Sequence, residues 1–338
     1  MSTLNPKIMA VPGDQFACGV YRIINPTRLL QQSGVDITLA PAGRFRTFGS
    51  MDTIFTQRIT TENSLTALKG LKDKTGIKII VDFDDLTWEF KGEGLPEYNY
   101  CNTKLDCKAN REAMLKYAAD VIDTATCTNE YLKEAVSEFI DPKKVHVLPN
   151  RLSVSEWLFD TAKTIPEQDI FFYAGSATHY DNNRKLPGDF DAGLIRYLQG
   201  KKVVTMGEPP YFINPVAKFP VCSMSTYSKN FYNYARKCKF ILAPLADNVF
   251  NKCKSNLKYL ESCAVGRVCL VSTFPGCPYE DVAHEYQKIP LGSTYKAVEY
   301  IVERAKEHYA EILQHQYDVL NKNYWLDNHI DEYKAVLK

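Results

Sequence analysis

Three carboxylates follow one apolar run of the chain. The run 77–81 has the composition of a buried strand, and Asp82, Asp84 and Asp85 come directly after it. Carboxylates grouped at the end of a buried strand are costly unless a partner or a reaction uses them. One of the three could be a general base toward an acceptor hydroxyl, whereas Asp82 with Asp84 could hold a divalent metal. A helix N-cap followed by solvent-facing acids is the structural alternative.

A second polar group precedes a helix predicted over 255–264. Lys252 and Lys254 supply positive charge, and Ser255 or Asn256 can cap the helix while its free N–H groups point outward. Such a helix start can bind a diphosphate without a glycine-rich loop.

Glu261 lies further along the same predicted helix, where its carboxylate could accept hydrogen bonds from a sugar diol such as ribose. The surrounding segment, 227–258, contains seven Lys and Arg residues against one acid, Asp247. A local positive excess in a neutral protein favours a small anion such as phosphate over a long polyanion. A solvated Lys/Glu helix face is the alternative.

Two glycine turns at predicted strand ends could also approach an anion. Gly19 stands beside a helix N-terminus, where N–H groups and the helix dipole attract negative charge, and Arg22 could reach the same ligand. Gly175 and Ser176 follow the first strand of the second half, and His179 could supply a proton or a hydrogen bond. A glycine needed only for its turn and a histidine satisfied within the fold are the alternatives.

These groups need a scaffold that brings strand ends together. Both halves alternate short apolar runs with helical patterns, which predicts parallel sheets covered by helices on both faces. In open α/β sheets ligands bind at the carboxyl ends of the strands. A long amphipathic helix is predicted over 294–320. The strands are predicted at 7–11, 36–40, 53–56, 77–81, 121–125, 144–148, 170–174, 202–206, 240–244 and 268–272.

The composition excludes several protein classes. The 338 residues are 45% hydrophobic and 24% charged, which excludes a disordered chain, a coiled coil and a collagen-like chain. No apolar stretch is long enough for a membrane helix, and the first residues lack a signal-peptide pattern, so we expect a cytoplasmic protein. Ten cysteines without CxxC spacing predict reduced thiols, with neither a zinc site nor a disulfide framework.

Taken in order, these motifs resemble those of phage and bacterial glycosyltransferases of the GT-B fold. The resemblance implies two Rossmann-like, doubly wound domains that face a central cleft. The motifs that carry it are 19–26, 57–58, 82–85, Asn150 and 254–261. The domains it implies are an acceptor domain over 1–150, a nucleotide-sugar domain over 151–320 and a C-terminal helix over 321–338 that returns to the first domain.

The resemblance also implies a donor site for a UDP-linked sugar. The helix start at 254–256 would hold the diphosphate and Glu261 the ribose, while Gly19 and Arg22 would contact the phosphate or sugar from across the cleft. The expected donor-binding residues are Gly19, Arg22, Gly175, Ser176, Lys252, Lys254, Ser255, Asn256 and Glu261.

The resemblance leaves two stereochemical outcomes open. Retaining members usually carry two glutamates about seven residues apart at the ribose contact, and Cys253 or Lys254 stands at the position of the first one. If the enzyme inverts, Asp84 or Asp85 is the candidate base; if it retains, they only position the acceptor. His179 is a further catalytic candidate. The family usually needs no metal, because positive charge and a helix dipole neutralise the leaving diphosphate, so we expect no cofactor.

The acceptor expected from the resemblance is 5-hydroxymethylcytosine in double-stranded phage DNA, which would receive a pentose such as arabinose or a hexose in the host cytoplasm. The base would be flipped out toward Asp84 and Asp85, with Arg44, Arg46 and Arg58 on the phosphates. The net charge of +1 counts against DNA, because duplex-binding proteins usually have a basic footprint.

Three alternatives remain open. The acceptor could be a precursor of a cell-surface glycan. A metal-dependent transferase of the other common fold would use Asp82 and Asp84 to hold manganese and would lack the second Rossmann-like domain. A non-catalytic nucleotide- or DNA-binding module would bind its ligand without transferring a sugar.

Overall fold

The computed structural model describes a two-sheet α/β protein. The described residues are 6–43, 51–89, 107–158, 165–175, 189–207, 209–220 and 223–338. Each sheet contains six strands, all parallel. The doubly wound α/β architecture predicted from the alternating pattern is therefore confirmed.

The first sheet has the strand order β2-β1-β3-β4-β5-β6. Its strands are β1 Ile8–Val11, β2 Ile37–Leu39, β3 Thr53–Gln57, β4 Lys78–Phe83, β5 Thr124–Cys127 and β6 Val145–Val147. The register pairs Gln57, the last residue of β3, with Asp82. The residues that follow β3 and β4 therefore meet at the same edge of the sheet, as parallel pairing requires.

The second sheet has the order β12-β11-β10-β7-β8-β9, the order of doubly wound nucleotide-binding domains. Its strands are β7 Ile170–Gly175, β8 Lys202–Gly207, β9 Ala217–Phe219, β10 Phe240–Ala243, β11 Val268–Thr273 and β12 Lys288–Pro290. The sequence analysis missed β9 and β12. Both are three-residue strands at the sheet edges, too short for an apolar run to reveal them.

Helices cover both sheets. They are α1 Ala17–Gly19, α2 Asn25–Gln32, α3 Glu62–Thr75, α4 Cys107–Val121, α5 Glu130–Val136, α6 Val154–Trp157, α7 Ala192–Leu198, α8 Met224–Ala235, α9 Val249–Lys252, α10 Leu257–Ala264, α11 Tyr295–Glu307, α12 Tyr309–Asn323 and α13 Ile330–Leu337. A π-helical segment, Val20–Ile24, joins α1 to α2.

The single helix predicted over 294–320 is wrong: α11 and α12 are separate helices. The break lies at His308, whose φ of −101° and ψ of 20° leave the helical region. The apolar stripe continues through the break because Val298 and Ile312 pack in one core cluster. Periodicity alone therefore did not reveal where the backbone turns.

The C-terminal end of the chain packs on the first sheet. Tyr333 and Leu337 of α13 are buried in one cluster with Ile8 of β1 and Leu30 of α2. The chain thus crosses from the second sheet back to the first.

Two further expectations concern the oxidation state of the cysteines and the absence of a membrane-spanning helix. Seven described cysteines are free, but Cys107 is disulfide-bonded, so the expectation that all thiols are reduced is wrong. Among the described residues, no helix is both long enough and apolar enough to cross a bilayer.

Candidate functional site

Arg58 follows β3 directly and draws acidic side chains together. Its φ of 57° lies in the left-handed region, which costs energy for a residue with a side chain. Nε and Nη2 donate to the two carboxylate oxygens of Asp84 at 2.7 and 2.6 Å, and Nη1 donates to Asp14 at 3.0 Å. Asp85 lies 3.5 Å from Nη2. Arg58 is thus engaged with carboxylates, and its predicted role as a free DNA-phosphate contact is not supported.

Asp84 and Asp85 are adjacent in sequence but differ in environment. The side chain of Asp84 is 4% exposed and that of Asp85 is 29% exposed. Burial would raise the pKa of Asp84, but the paired Arg58 outweighs burial and lowers the pKa below its ordinary value. Burial raises the pKa of Asp85; Lys254 opposes this shift and the charge of Asp84 adds to it. Asp85 is therefore the more basic and more accessible carboxylate.

A group of three potential metal ligands occurs within the described part of the chain: Cys18, Asp84 and Asp85. Nη2 of Arg58 lies 2.8 Å from the Cys18 sulfur, 2.6 Å from Asp84 and 3.5 Å from Asp85. The guanidinium supplies a positive charge at the centre of the group. Burial also raises the pKa of Cys18 well above its ordinary value, which disfavours a metal-binding thiolate.

Lys254 approaches this cluster from the second domain. Its positive charge is the strongest influence that lowers the pKa of Asp85, and its Nζ lies 4.5 Å from the centre of the Phe250 ring. It forms no salt bridge with any described residue. Lys252, in contrast, pairs with Asp247 at 3.1 Å. Of the two lysines predicted to hold the donor, Lys252 is paired with an aspartate of its own domain, whereas the charge of Lys254 acts on Asp85.

The start of α10 leaves its N–H groups without a side-chain acceptor. Asn256 occupies the N-cap position, but its side chain makes no capping hydrogen bond. Oγ of Ser255 accepts a hydrogen bond from Asn150 at 2.8 Å instead. The helix start therefore has no side-chain cap from either predicted residue, and such an uncapped N-terminus is suited to an anion.

Glu261 lies behind the helix start and joins the two domains. It is 3% exposed. Its carboxylate oxygens accept hydrogen bonds from the hydroxyls of Tyr21 at 3.0 Å and Tyr227 at 3.2 Å. Burial raises the pKa of Glu261 to about 7, although both tyrosines and Lys258 oppose the shift. A ribose bound as the sequence analysis predicts would share these oxygens with the tyrosines.

Because Glu261 is buried, we expect the stability difference between the wild type and Glu261→Gln to depend on pH. Because the folded-state pKa is raised, the contribution of Glu261 to stability is full below its unfolded pKa of about 4.5 and is lost as pH rises through about 7. From about pH 5 to about pH 8, the unfolding free energy of the wild type should fall relative to the variant by up to about 3 kcal/mol. Urea unfolding of both proteins across this range measures the difference. Parallel pH curves would contradict the assignment.

Arg22 is the clearest correction to the predicted donor contacts. It is fully buried and donates to Asp82, with a shortest distance of 2.6 Å. Nη1 donates to the Leu148 carbonyl at 2.5 Å and to Asn150 at 3.0 Å. These hydrogen bonds commit the guanidinium of Arg22 within the first domain, so it is not exposed toward a donor phosphate. It holds Asp82 and the end of the first domain together.

Gly19 also has a structural explanation. Its N–H donates to the Asp14 carboxylate at 3.0 Å, so it is not free to bind a phosphate. A Cβ atom at this position would overlap the backbone carbonyl of Asp14, and this close approach requires glycine. The predicted anion contact of Gly19 is therefore replaced by an internal carboxylate.

Gly175 ends β7 and packs beneath the ring of Tyr173, where a Cβ atom would overlap the hydroxyl. Lys258 lies over the same ring, with Nζ 5.2 Å from its centre. Burial lowers the pKa of Lys258 to about 8. The structure therefore adds Lys258 as a cation near the predicted site. Ser176, His179, Arg44 and Arg46 lie outside the described residues, and their predicted roles stay predictions.

Sequence reasoning also missed the side chains that connect the domains. Tyr21 and Tyr227 were not considered, although Tyr21 stands inside the motif at 19–26. Asn129 was assigned only to a helix, yet it follows the end of β5, where polar residues of this fold class face a ligand cleft. Its position at a strand end was the signal available.

Comparison with known proteins shows the fold. No protein-family model and no curated protein matches the chain, but solved structures do. HepE of Anabaena in complex with UDP-glucose aligns with a TM-score of 0.59 over 98% of this chain and 100% of its own, at 9% identity. Sucrose-phosphate synthase of Thermosynechococcus elongatus gives 0.62 over 98% of both chains, at 9% identity. The chain has the GT-B fold. The β-glucosyltransferase of T4 phage also aligns, with a TM-score of 0.56 over 98% of this chain and 99% of the phage enzyme, at 12% identity.

Proposed function

We propose that this GT-B protein is a glycosyltransferase that takes its sugar from a UDP-sugar. The observation that carries the proposal is that Lys254 of the second domain lies close enough to Asp85 of the first for its charge to lower the pKa of that carboxyl. HepE and the T4 β-glucosyltransferase, which share the fold, were solved with UDP-glucose. Lys254 and the uncapped start of α10 are suited to the diphosphate of such a donor.

The proposed reaction is a direct displacement. Asp85 accepts the proton of the acceptor hydroxyl, and the oxygen forms a bond to the anomeric carbon of the sugar. The bond between that carbon and the diphosphate breaks, and its electron pair leaves with UDP. Lys254 and the N–H groups of α10 stabilise the charge on the leaving group. Attack opposite the leaving group inverts the anomeric centre, which is consistent with a lysine at position 254 where retaining relatives have a glutamate.

Asp85 is the better base of the two adjacent carboxylates. Both carboxylate oxygens of Asp84 accept hydrogen bonds from Arg58, and the lowered pKa of Asp84 makes it a weak base. Asp85 retains a more accessible oxygen and a raised pKa. Adjacent carboxylates whose environments separate their pKa values are a common way to divide catalytic roles.

The proposed reaction uses no metal. Arg58 already places a positive charge among Cys18, Asp84 and Asp85, and Lys254 supplies the charge on the donor side. The T4 β-glucosyltransferase has been solved with UDP and Mn²⁺, so metal dependence is worth testing directly.

We propose 5-hydroxymethylcytosine in duplex DNA as the acceptor and a pentose such as arabinose, or a hexose, as the sugar. The motif resemblance to phage enzymes and the likeness to the T4 β-glucosyltransferase support this choice. A cell-surface glycan precursor is the second candidate, favoured by the near-neutral charge of the chain.

Nucleotide titration tests the donor proposal. UDP should bind more tightly than UMP, because only UDP carries the second phosphate that Lys254 and the start of α10 would contact. A charge-assisted hydrogen bond of about 1.5–3 kcal/mol corresponds to about a 10- to 150-fold difference in Kd. Isothermal titration calorimetry with both nucleotides measures it. Equal affinities, or no binding of UDP, would contradict the proposal.

A further inference from the structure

The segment 249–255 belongs to the second domain by sequence but packs on the first. Phe250 of α9 and Cys253 are 7% and 2% exposed, and both are part of the hydrophobic core cluster beneath the first sheet. That cluster is built by first-domain residues such as Phe83 and Leu132. The segment that carries Lys254 is therefore seated in the opposite domain.

Asn129 holds this segment through its backbone. The side-chain nitrogen of Asn129 donates to the carbonyl oxygens of Lys252 and Lys254, both at 2.9 Å. The neighbouring Thr128 hydroxyl donates to the carbonyl of Cys253 at 3.4 Å. Three consecutive carbonyls of the second domain thus accept hydrogen bonds from two adjacent residues of the first.

The side-chain oxygen of Asn129 has a different task. It accepts the backbone N–H of Leu132 at 2.8 Å and so caps helix α5. One carboxamide therefore joins a rigid helix start of the first domain to the segment 252–254 of the second. Because the two functions use different atoms, they can be separated by substitution.

A second contact fixes the next residue along the chain. Asn150 donates to Ser255 at 2.8 Å, and its own oxygen accepts from the buried Arg22 at 3.0 Å. Lys254 is therefore flanked on both sides by residues that hydrogen-bond to the first domain, the domain that carries Asp85.

We propose that Asn129 is a positioning residue for the donor site: its carboxamide nitrogen fixes the segment 252–254 on the first domain and thereby places Lys254 opposite Asp85. The inference rests on the proposed function for the role of Lys254, but the anchoring itself does not. Loss of the anchor frees the segment, so that Lys254 no longer holds the donor diphosphate against the acceptor side of the cleft.

Asn129→Ser tests the proposal, because serine is also a good N-cap but lacks the amide nitrogen. The variant should raise the KM for UDP-sugar at least about tenfold with a smaller change in kcat, as expected when a charged contact to the donor is weakened. A maleimide should label Cys253 faster in the variant than in the wild type, as located by mass spectrometry after digestion. In the wild type, UDP should slow this labelling. Asn129→Asp, which keeps the cap oxygen but places a carboxylate against the carbonyls, should show both changes more strongly.

Thr61→Ala is the matched control. Thr61 caps α3 through its side chain, so this variant loses a cap without touching the segment 252–254, and it should leave the donor KM and Cys253 labelling unchanged. An unchanged donor KM, or an unchanged labelling rate, in both Asn129 variants would overturn the proposal. If the wild type neither binds UDP nor transfers a sugar, the proposed function fails, whereas the labelling rates still decide whether Asn129 anchors the segment.

Discussion

Asp85→Asn should lower kcat about 10³-fold, within the range that general-base catalysis contributes. The asparagine keeps the size of the side chain but cannot accept the proton of the acceptor hydroxyl. Binding of UDP should change little, because the proposed reaction uses Asp85 at the acceptor hydroxyl and not at the diphosphate, and its side chain is 29% exposed. Initial-rate kinetics with both substrates varied, together with calorimetric titration of UDP, measure the two quantities separately.

Asp84→Asn is the informative comparison for this prediction. Asp84 is 4% exposed and bound by two nitrogens of Arg58, so its neutralisation removes the bidentate partner of a guanidinium that keeps Asp14. Loss of a charged hydrogen-bonding partner at a buried site typically costs about 1–3 kcal/mol. The melting temperature should therefore fall for Asp84→Asn and stay near the wild-type value for Asp85→Asn. Wild-type kcat in Asp85→Asn would exclude Asp85 as the base.

Lys254→Met should raise the donor KM about 10- to 150-fold, the effect of losing a charged hydrogen bond of about 1.5–3 kcal/mol. Methionine preserves the apolar stem against Phe250 while removing the charge. The same variant should abolish most of the preference for UDP over UMP, because the contact to the second phosphate is lost. Steady-state kinetics and nucleotide titrations report these changes.

Lys252→Met serves as the control because Lys252 is two residues away and already paired with Asp247 at 3.1 Å. It removes one positive charge from the same segment, so it also corrects for the general loss of local potential. The donor KM should rise far less than in Lys254→Met. Equal effects of the two substitutions would mean that the local charge, and not the position of Lys254, attracts the donor.

The sequence was sufficient for the architecture because its signal is local. The apolar run at 77–81 became the buried β4, and the polar residues after it lie at the sheet edge where parallel strands place them. The same local logic located Asp85 and Lys254, which follow a strand and precede a helix respectively. The prediction of secondary structure was wrong where the sequence pattern was weak, at the three-residue edge strands and at the helix break near His308.

The predicted roles of residues were wrong where the role depends on a partner that is distant in sequence. Arg22 stands at the start of a helix, which favoured an anion contact, but its partner Asp82 is 60 residues away and buries it. Arg58 was assigned to DNA phosphates because nothing in its neighbourhood revealed that Asp14 and Asp84 would close on it. Asn129 has its second-domain partners more than 120 residues away. Spacing along the chain does not contain such pairings.

Sugar transfer to modified DNA tests the central claim most directly. The protein is incubated with a panel of UDP-sugars and DNA that contains 5-hydroxymethylcytosine, with and without EDTA. The DNA is then digested, and the masses of its nucleosides are measured by mass spectrometry. We expect 5-hydroxymethyl-2′-deoxycytidine to gain the mass of one sugar residue with release of UDP, unaffected by EDTA and lost in Asp85→Asn. Transfer in the wild type that requires a metal would contradict the proposed role of Arg58. The result that would contradict the proposed activity is unmodified nucleosides together with no release of UDP from any donor, whether DNA or glycan acceptors are present.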